Sequence, residues 1–286
     1  MPSASRFAEL TRTASRDSAA DTLVVLPLGA IEQHGPHLPV GTDLFQVEAL
    51  AIRSVAKAAE KVPVCLAPAL PYGCSQHHLP FGGTMSLTTE TYYRMLLELT
   101  TSLVTAGYRR ILLLNGHGGN HEIVQLVARD VALTHPVVVM GTSWFVAAWD
   151  ALIALDVHRR GRFPGHAGFF ETSLIMALRP DLVRPPFPES TGTPVPPTDP
   201  RGYQRSCRVE RHGAWQAIDG VSDPPDGADA DLGGRCLEAV VDALVAAMID
   251  LQRVPLPAAA AAGSAPAVSG VITGAPATSN ERAASS

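Results

Sequence analysis

Four short apolar runs, continuous rather than alternating, set the strongest limit on the fold. They are residues 22–28 (TLVVLPL), 64–70 (VCLAPAL), 110–114 (RILLL) and 136–140 (PVVVM). The first meets Gly29, the third runs into Asn115-Gly116 and the fourth into Gly141, while the second is weaker and interrupted by Pro68. Strands of this kind must be buried on both faces, as in a parallel sheet covered by helices. Helical spacing fills the intervals. It is carried by Leu44, Val47, Ala51, Val55 and Ala58 in 44–60, and by Tyr92, Leu96, Leu99 and Leu103 in 89–106, where Gly107 is a natural stop. Ile123, Leu126, Val127 and Val131 mark one face of 120–134, and 232–252 gives a last helix. Strands alternating with helices predict an α/β layered domain.

Hydrophobic residues make up 46% of the 286 and charged residues 17%, which suffices for one sizeable core. We place that domain at 21–254. Residues 1–20 read as an arm or leading helix, and the Ala/Ser/Gly/Pro-rich stretch 255–286 reads as a disordered tail. Pro-rich segments at 180–200 and 223–227 read as surface loops. A net charge of −5 gives no reason to expect nucleic acid or an anionic membrane as partner. No apolar run reaches the ~18 residues of a membrane span, and the polar N-terminus lacks the apolar stretch of a signal peptide. Cys65, Cys74, Cys207 and Cys236 are scattered, without C-x-x-C spacing, so reduced thiols in a cytoplasmic enzyme are expected.

The polar, glycine-rich motifs follow the predicted strands, where sites of α/β sheets gather. In GAIEQHGPHLPVGTD (29–43), Glu32, His34 and Asp43 offer mixed oxygen and imidazole donors suited to zinc, manganese or iron(II). Asp43 opens a helix and could instead be its N-cap. In NGHGGN (115–120), the motif has no lysine and neither phosphate-loop spacing, so His117 at a strand end reads as a ligand rather than a turn histidine. In GHAGFFETS (165–173), Glu171 is either a first-turn helix charge or a carboxylate awaiting a cation. His166 could be a ligand, a proton shuttle or a donor to substrate. In GCSQHHLPFGGTMSLT (73–88), His77 and His78 would face opposite ways on a strand, leaving at most one toward the site. Ser75, His78 and Trp144 are candidate substrate contacts. His158, Arg159, Arg160 and Arg162 either meet an acidic substrate group or form a solvated basic segment.

In this order and spacing the motifs resemble the creatininase (creatinine amidohydrolase) family, over roughly residues 22–180. The resemblance implies a three-layer α/β/α sandwich with a mainly parallel central sheet, homo-oligomers (hexamers), and two divalent metals at the sheet's carboxyl edge. It implies that Glu32 and His117 hold one metal and His34 the other, with Asp43 bridging. Creatininase carries a glutamate two residues beyond the histidine matching His117, and this sequence has Gly119 there. Glu171 is the substitute ligand we expect. The N-G-H-G-G-N form is shared with formylamino-pyrimidine deformylases and the mycofactocin precursor peptidase.

Three carboxylates would offset three of four cationic charges, with a bridging hydroxide for the fourth. Metal binding lowers the pKa of water toward about 7, and the hydroxide would attack a carbonyl carbon to cleave a C–N bond in an amide, cyclic amide, formamide or short peptide, a bond other than a peptide bond being the first expectation and a mycofactocin-type precursor peptidase an alternative. His166 is the expected proton donor to the leaving nitrogen. Hydrolysis of a sugar-like ketone or lactone by the same hydroxide is the alternative within the family. A non-haem iron redox enzyme, using a facial triad, is the alternative outside it and would need oxygen. A metal-free binding scaffold would show neither metal nor activity.

Overall fold

A computed structural model describes residues 5–188 and 211–258. Its sheet is formed by β1 (Ser5–Arg6), β2 (Leu23–Leu28), β3 (Val64–Leu66), β4 (Arg110–Asn115) and β5 (Val138–Ser143). The spatial order is β1-β3-β2-β4-β5 and every pairing is parallel. The continuous runs are continuous because their alternate residues serve two cores. Leu23 and Val25 of β2 join Leu112 and Leu114 of β4 beneath α2 (Thr42–Ala58) and α8 (Ala230–Arg253). Val24, Leu26 and Leu28 join Ile111 and Leu113 beneath α3 (Thr89–Thr105) and α4 (His121–Thr134). This is the expected helix–sheet–helix sandwich.

From β2 the chain passes through α2 to β3 on one side, then returns through α3 to β4 on the other. The reversal falls between β2 and β4, whose ends are level in the register Leu28↔Asn115. A crevice opens at such a switch point because the two connections leave in opposite directions. Both ligand-bearing motifs begin there.

Three expectations need adjusting. β5 runs to Ser143 rather than ending at 140, because pairing with β4 carries the register from Arg110↔Val138 to Asn115↔Ser143. The leading arm contains a short helix, α1 (Arg12–Ser18), capped by Thr11, and an edge strand in which Ser5 and Arg6 pair with Cys65 and Leu66. His77 and His78 lie in a 3-10 turn, Gln76–Phe81, not in a strand. The expected disorder of the tail falls on residues outside the described ones from 259 onward, as does most of the Pro-rich loop 180–200. Cys65, Cys74 and Cys236 are free and buried, and no described helix is long and apolar enough to cross a membrane.

Candidate metal centre

Each donor is placed by a different structural device. After β2 the chain turns sharply at Gly35 (φ 66°). Glu32 is pinned by its N–H donating to the Val40 carbonyl at 2.9 Å. Asp43 stands in the first turn of α2, but Gly41 occupies the cap position and makes no side-chain cap bond. The carboxylate is therefore free of capping duty and turns to the imidazoles. His117 follows β4, held by its N–H to Asn115 Oδ1 at 3.1 Å. Asn115 Nδ2 in turn donates to Ser143 Oγ at 2.8 Å. Glu171 stands in the first turn of α7 (Phe169–Leu178), where Oε2 accepts the Ala167 N–H at 2.6 Å.

These donors converge. Asp43 Oδ2 lies 3.0 Å from His117 Nδ1, and its Oδ1 lies 3.4 Å from His34 Nε2. Glu32 Oε1 is 3.2 Å from His117 Nδ1, and Glu171 Oε2 is 3.5 Å from His34 Nε2. Asp43 thus stands between two sets, one with Glu32 and His117, the other with His34 and Glu171. His34, Asp43 and Glu171 form one group whose ligand atoms lie close enough to share a cation. Glu32 with His34 and His166, and Glu32 with His77 and His117, form two more.

The imidazoles are oriented as ligands are. A carbonyl can only accept, so the ring nitrogen facing one must carry the proton. His34 Nδ1 faces the Glu32 carbonyl at 3.1 Å, His117 Nε2 the Cys74 carbonyl at 3.0 Å, and His166 Nε2 the Gln33 carbonyl at 2.8 Å. In each ring the other nitrogen faces the carboxylates and can offer its lone pair to a cation. Such backbone anchoring is the usual support of metal-bound histidine. His78 is oriented the other way. Gln33 Nε2 donates to its Nδ1 at 2.9 Å, so its proton sits on Nε2, 3.7 Å from Glu32 Oε1.

The fit to cations is also electrostatic. Glu32 Oε1 and Oε2, His34 Nε2 and Asp43 Oδ2 are buried without a well-formed hydrogen bond, a costly state unless another group completes it. Without cations, protons take their place. Burial disfavours the charged form of His34, yet Glu171, Asp43 and Glu32 outweigh it and raise its pKa to about 10. His117 is likewise raised by Glu32 and Asp43 against its burial. Burial, opposed by His34 but aided by Asp43, lifts Glu171 to about 8. Burial first, then the neighbouring histidines, lower His78 to about 2 and hold His166 well below the ordinary range. The set of carboxylates and anchored imidazoles fits divalent metal.

At Gly119, where the resemblance implied a glutamate, there is no room for a side chain. A Cβ there would lie 2.2 Å from the Cys74 carbonyl oxygen and 2.5 Å from His117 Nε2. The loop carrying Cys74 comes so close, tied by Cys74 N–H to Asn120 Oδ1 at 2.9 Å, that no side chain fits. Glu171 faces the cluster from the other side.

The remaining expected residues divide. Ser75 is buried with its hydroxyl 3.3 Å from His117 Nε2, and both His77 and His78 stand at the cluster, because a 3-10 turn does not alternate faces as a strand would. Trp144, expected at the substrate, is packed in the core instead. It is 2% exposed, with Phe145 and Phe170 centroids at 5.4 and 6.1 Å, because β5 ends one residue earlier and delivers it inward under α8. Four residues at or beside the site escaped the motif reading. Gln33 links His78 to the Gly220 carbonyl, Asn120 ties the loops, Ser143 supports Asn115, and Trp215 packs against His78 at 4.7 Å between ring centroids. Gln33 and Asn120 lay inside the motifs but carried no ligand chemistry, and Trp215 lay in a segment without one.

A carboxylate–imidazole cluster at the switch point of a parallel sheet defines an α/β protein with a candidate metal centre. The creatinine amidohydrolase family profile matches residues 8–248. The mycofactocin precursor peptide peptidase of Mycobacterium tuberculosis is 33% identical over 242 residues, covering 80% of this chain and 86% of that protein. The creatinine amidohydrolase of Pseudomonas putida is 33% identical over 188 residues, 59% of this chain and 69% of that protein. A solved structure described as "Creatininase Mn" superimposes with a TM-score of 0.65 at 28% identity, over 86% of this chain and 98% of that one. The chain belongs to the creatininase family of hydrolases.

Proposed function

We propose that the chain is a two-metal amidohydrolase that cleaves a carbon–nitrogen bond. The observation that carries this reading is Asp43, whose two oxygens separately face His117 and His34, each within 3.4 Å. Glu32 and His117 would hold one ion, His34 and Glu171 the other, and Asp43 both. Bound there, divalent ions would polarise a carbonyl and lower the pKa of water to supply the nucleophile near neutral pH. Three carboxylates leave the loaded centre close to neutral, which limits the cost of its burial.

The chain's own groups do the rest. Glu32 and Glu171 are held in place by Val40 and Ala167 beside Asp43, so the carboxylate donors would need little rearrangement to receive the ions. Gln33 anchors His78, whose Nε2–H faces into the cluster and can donate to a substrate oxygen or to Glu32. His166 keeps its proton on Nε2 against the Gln33 carbonyl, so its free Nδ1, 3.4 Å from Glu32 Oε1, suits acceptance of a cation or a proton. Delivery of a proton to the leaving nitrogen would then follow acceptance, not precede it.

A peptide-like amide is favoured over creatinine. Gly119 departs from the creatinine-cleaving pattern, and the likeness to a peptide peptidase spans more of the chain, 80% against 59%. The test is a panel of formamides, lactams, lactones and short peptides offered to protein reloaded with manganese, zinc or iron(II). Amine release that ends on chelation and returns with metal supports the reading. Turnover of the lactones alone, or turnover that survives chelation, overturns it.

A further inference from the structure

The cluster is roofed by an aromatic side chain that the reaction chemistry does not require. Trp215 lies 5.3, 4.7 and 5.5 Å, centroid to centroid, from the rings of His77, His78 and His166, and meets the last two at steep angles of 67° and 80°. It is itself only half-buried. The segment behind it is fastened to the site at successive points. Gly220 N–H donates to the Trp215 carbonyl at 2.9 Å, and the Gly220 carbonyl accepts from Gln33 Nε2 at 2.8 Å. Ser222 and His166 exchange two bonds, Ser222 N–H to the His166 carbonyl at 2.9 Å and His166 N–H to Ser222 Oγ at 2.7 Å. Asp223 is seated so closely over Gly168 that a Cβ there would lie 2.1 Å from Oδ1.

The loops that carry Glu32, His77 and His78 also expose apolar side chains. Val40, Leu79 and Met85 are 42%, 50% and 56% exposed, on two loops joined by Met85 N–H to the Ile31 carbonyl at 2.9 Å. No Asp, Glu, Lys or Arg occurs in residues 33–42, 71–88 or 213–218. Exposed large apolar side chains on neighbouring loops are a feature of binding surfaces. A half-exposed indole held over polar groups offers a flat face to a flat partner.

We propose that Trp215 is a specificity-determining residue, forming the wall of a subsite for an uncharged aromatic ring next to the scissile carbonyl. The proposal deepens the amide-cleaving reading and rests on it for the position of that carbonyl. The probes are benzamide and cyclohexanecarboxamide, equal in size but flat and puckered, titrated calorimetrically into the manganese-loaded full chain. Wild type should bind benzamide about tenfold more tightly. Trp215→Phe should keep most of that preference, and Trp215→Leu should reduce it below about twofold with melting temperature and metal content unchanged. If Trp215→Leu does not fold, Trp215→Met carries the same comparison. An undiminished preference in the aliphatic variant, no preference in wild type, or no binding of either probe overturns the subsite. The preference with no amide ever cleaved leaves the subsite standing and removes the amidohydrolase reading. Amide cleavage without the preference does the reverse.

Discussion

Replacing Gly119 by alanine should disable the site, while the same change one residue earlier should be harmless. The added methyl at 119 would stand 2.2 Å from the Cys74 carbonyl oxygen. Ordinary carbon contacts are longer by roughly 1 Å or more, so one loop must retreat by that much. Overpacking of this kind costs about 1–3 kcal/mol, or a fall in melting temperature of roughly 5 °C in a domain of this size. The displaced carbonyl is also the acceptor that fixes His117 Nε2 at 3.0 Å. Losing such a partner costs about 10–100-fold in metal affinity or activity, and an error of ~1 Å in a catalytic group can cost about 100-fold in rate. Gly118 is exposed, has no atom within 4 Å of its Cβ position and lacks a positive φ. Its alanine variant should be neutral or gain about 0.4–1 kcal/mol through the unfolded chain. Thermal melts, metal analysis and turnover on the two variants form the assay. Gly119→Ala with wild-type metal content and activity, or equal damage at both positions, would refute the packing argument.

Glu171→Gln should lower metal content by about one ion per chain, read by mass spectrometry of the dialysed protein, because its carboxylate faces His34 at 3.5 Å; an unchanged content removes it from the ligand set. Metal-free protein should lose stability as pH rises. Glu171, raised to about 8, and His34, raised to about 10, both bind protons more tightly folded than unfolded, so their contributions fade from near pH 5 upward through those values. Melting temperatures recorded from about pH 7.5 to 10, above the range in which the lowered His37, His78 and His166 act in the opposite direction, should fall for the metal-free form and stay flatter for the loaded one; a rising metal-free curve there contradicts the sign. Ser143→Ala should keep the fold but weaken metal affinity by about 10-fold through Asn115 and His117, and unaltered affinity would make that network irrelevant.

The sheet was legible because parallel strands announce themselves as unbroken apolar runs, and β2 and β4 differ from the expected runs by a residue each. β5 was displaced because its last residues, Gly141-Thr142-Ser143, have no apolar signal and owe their strand form to pairing with β4. Glu32, His34, Asp43 and His117 were legible because ligand chemistry and strand ends coincide. The orientation of His77 and His78 was not, since neighbouring histidines read differently on a strand and in a 3-10 turn. Trp144 illustrates a further limit. A tryptophan just beyond a strand end can turn into the core or the crevice, and only the register of β5 decides. Trp215 reaches the cluster because Gly220, Ser222 and Asp223 behind it contact Gln33, His166 and Gly168, pairings that its own segment does not encode.

Crystals of the manganese-loaded chain, measured at the metal's absorption edge, put the shared-carboxylate centre to its most direct test. Two anomalous peaks should flank Asp43, one beside Glu32 and His117, the other beside His34 and Glu171. A single peak, or peaks remote from Asp43, in protein that hydrolyses its substrate at full rate would contradict it.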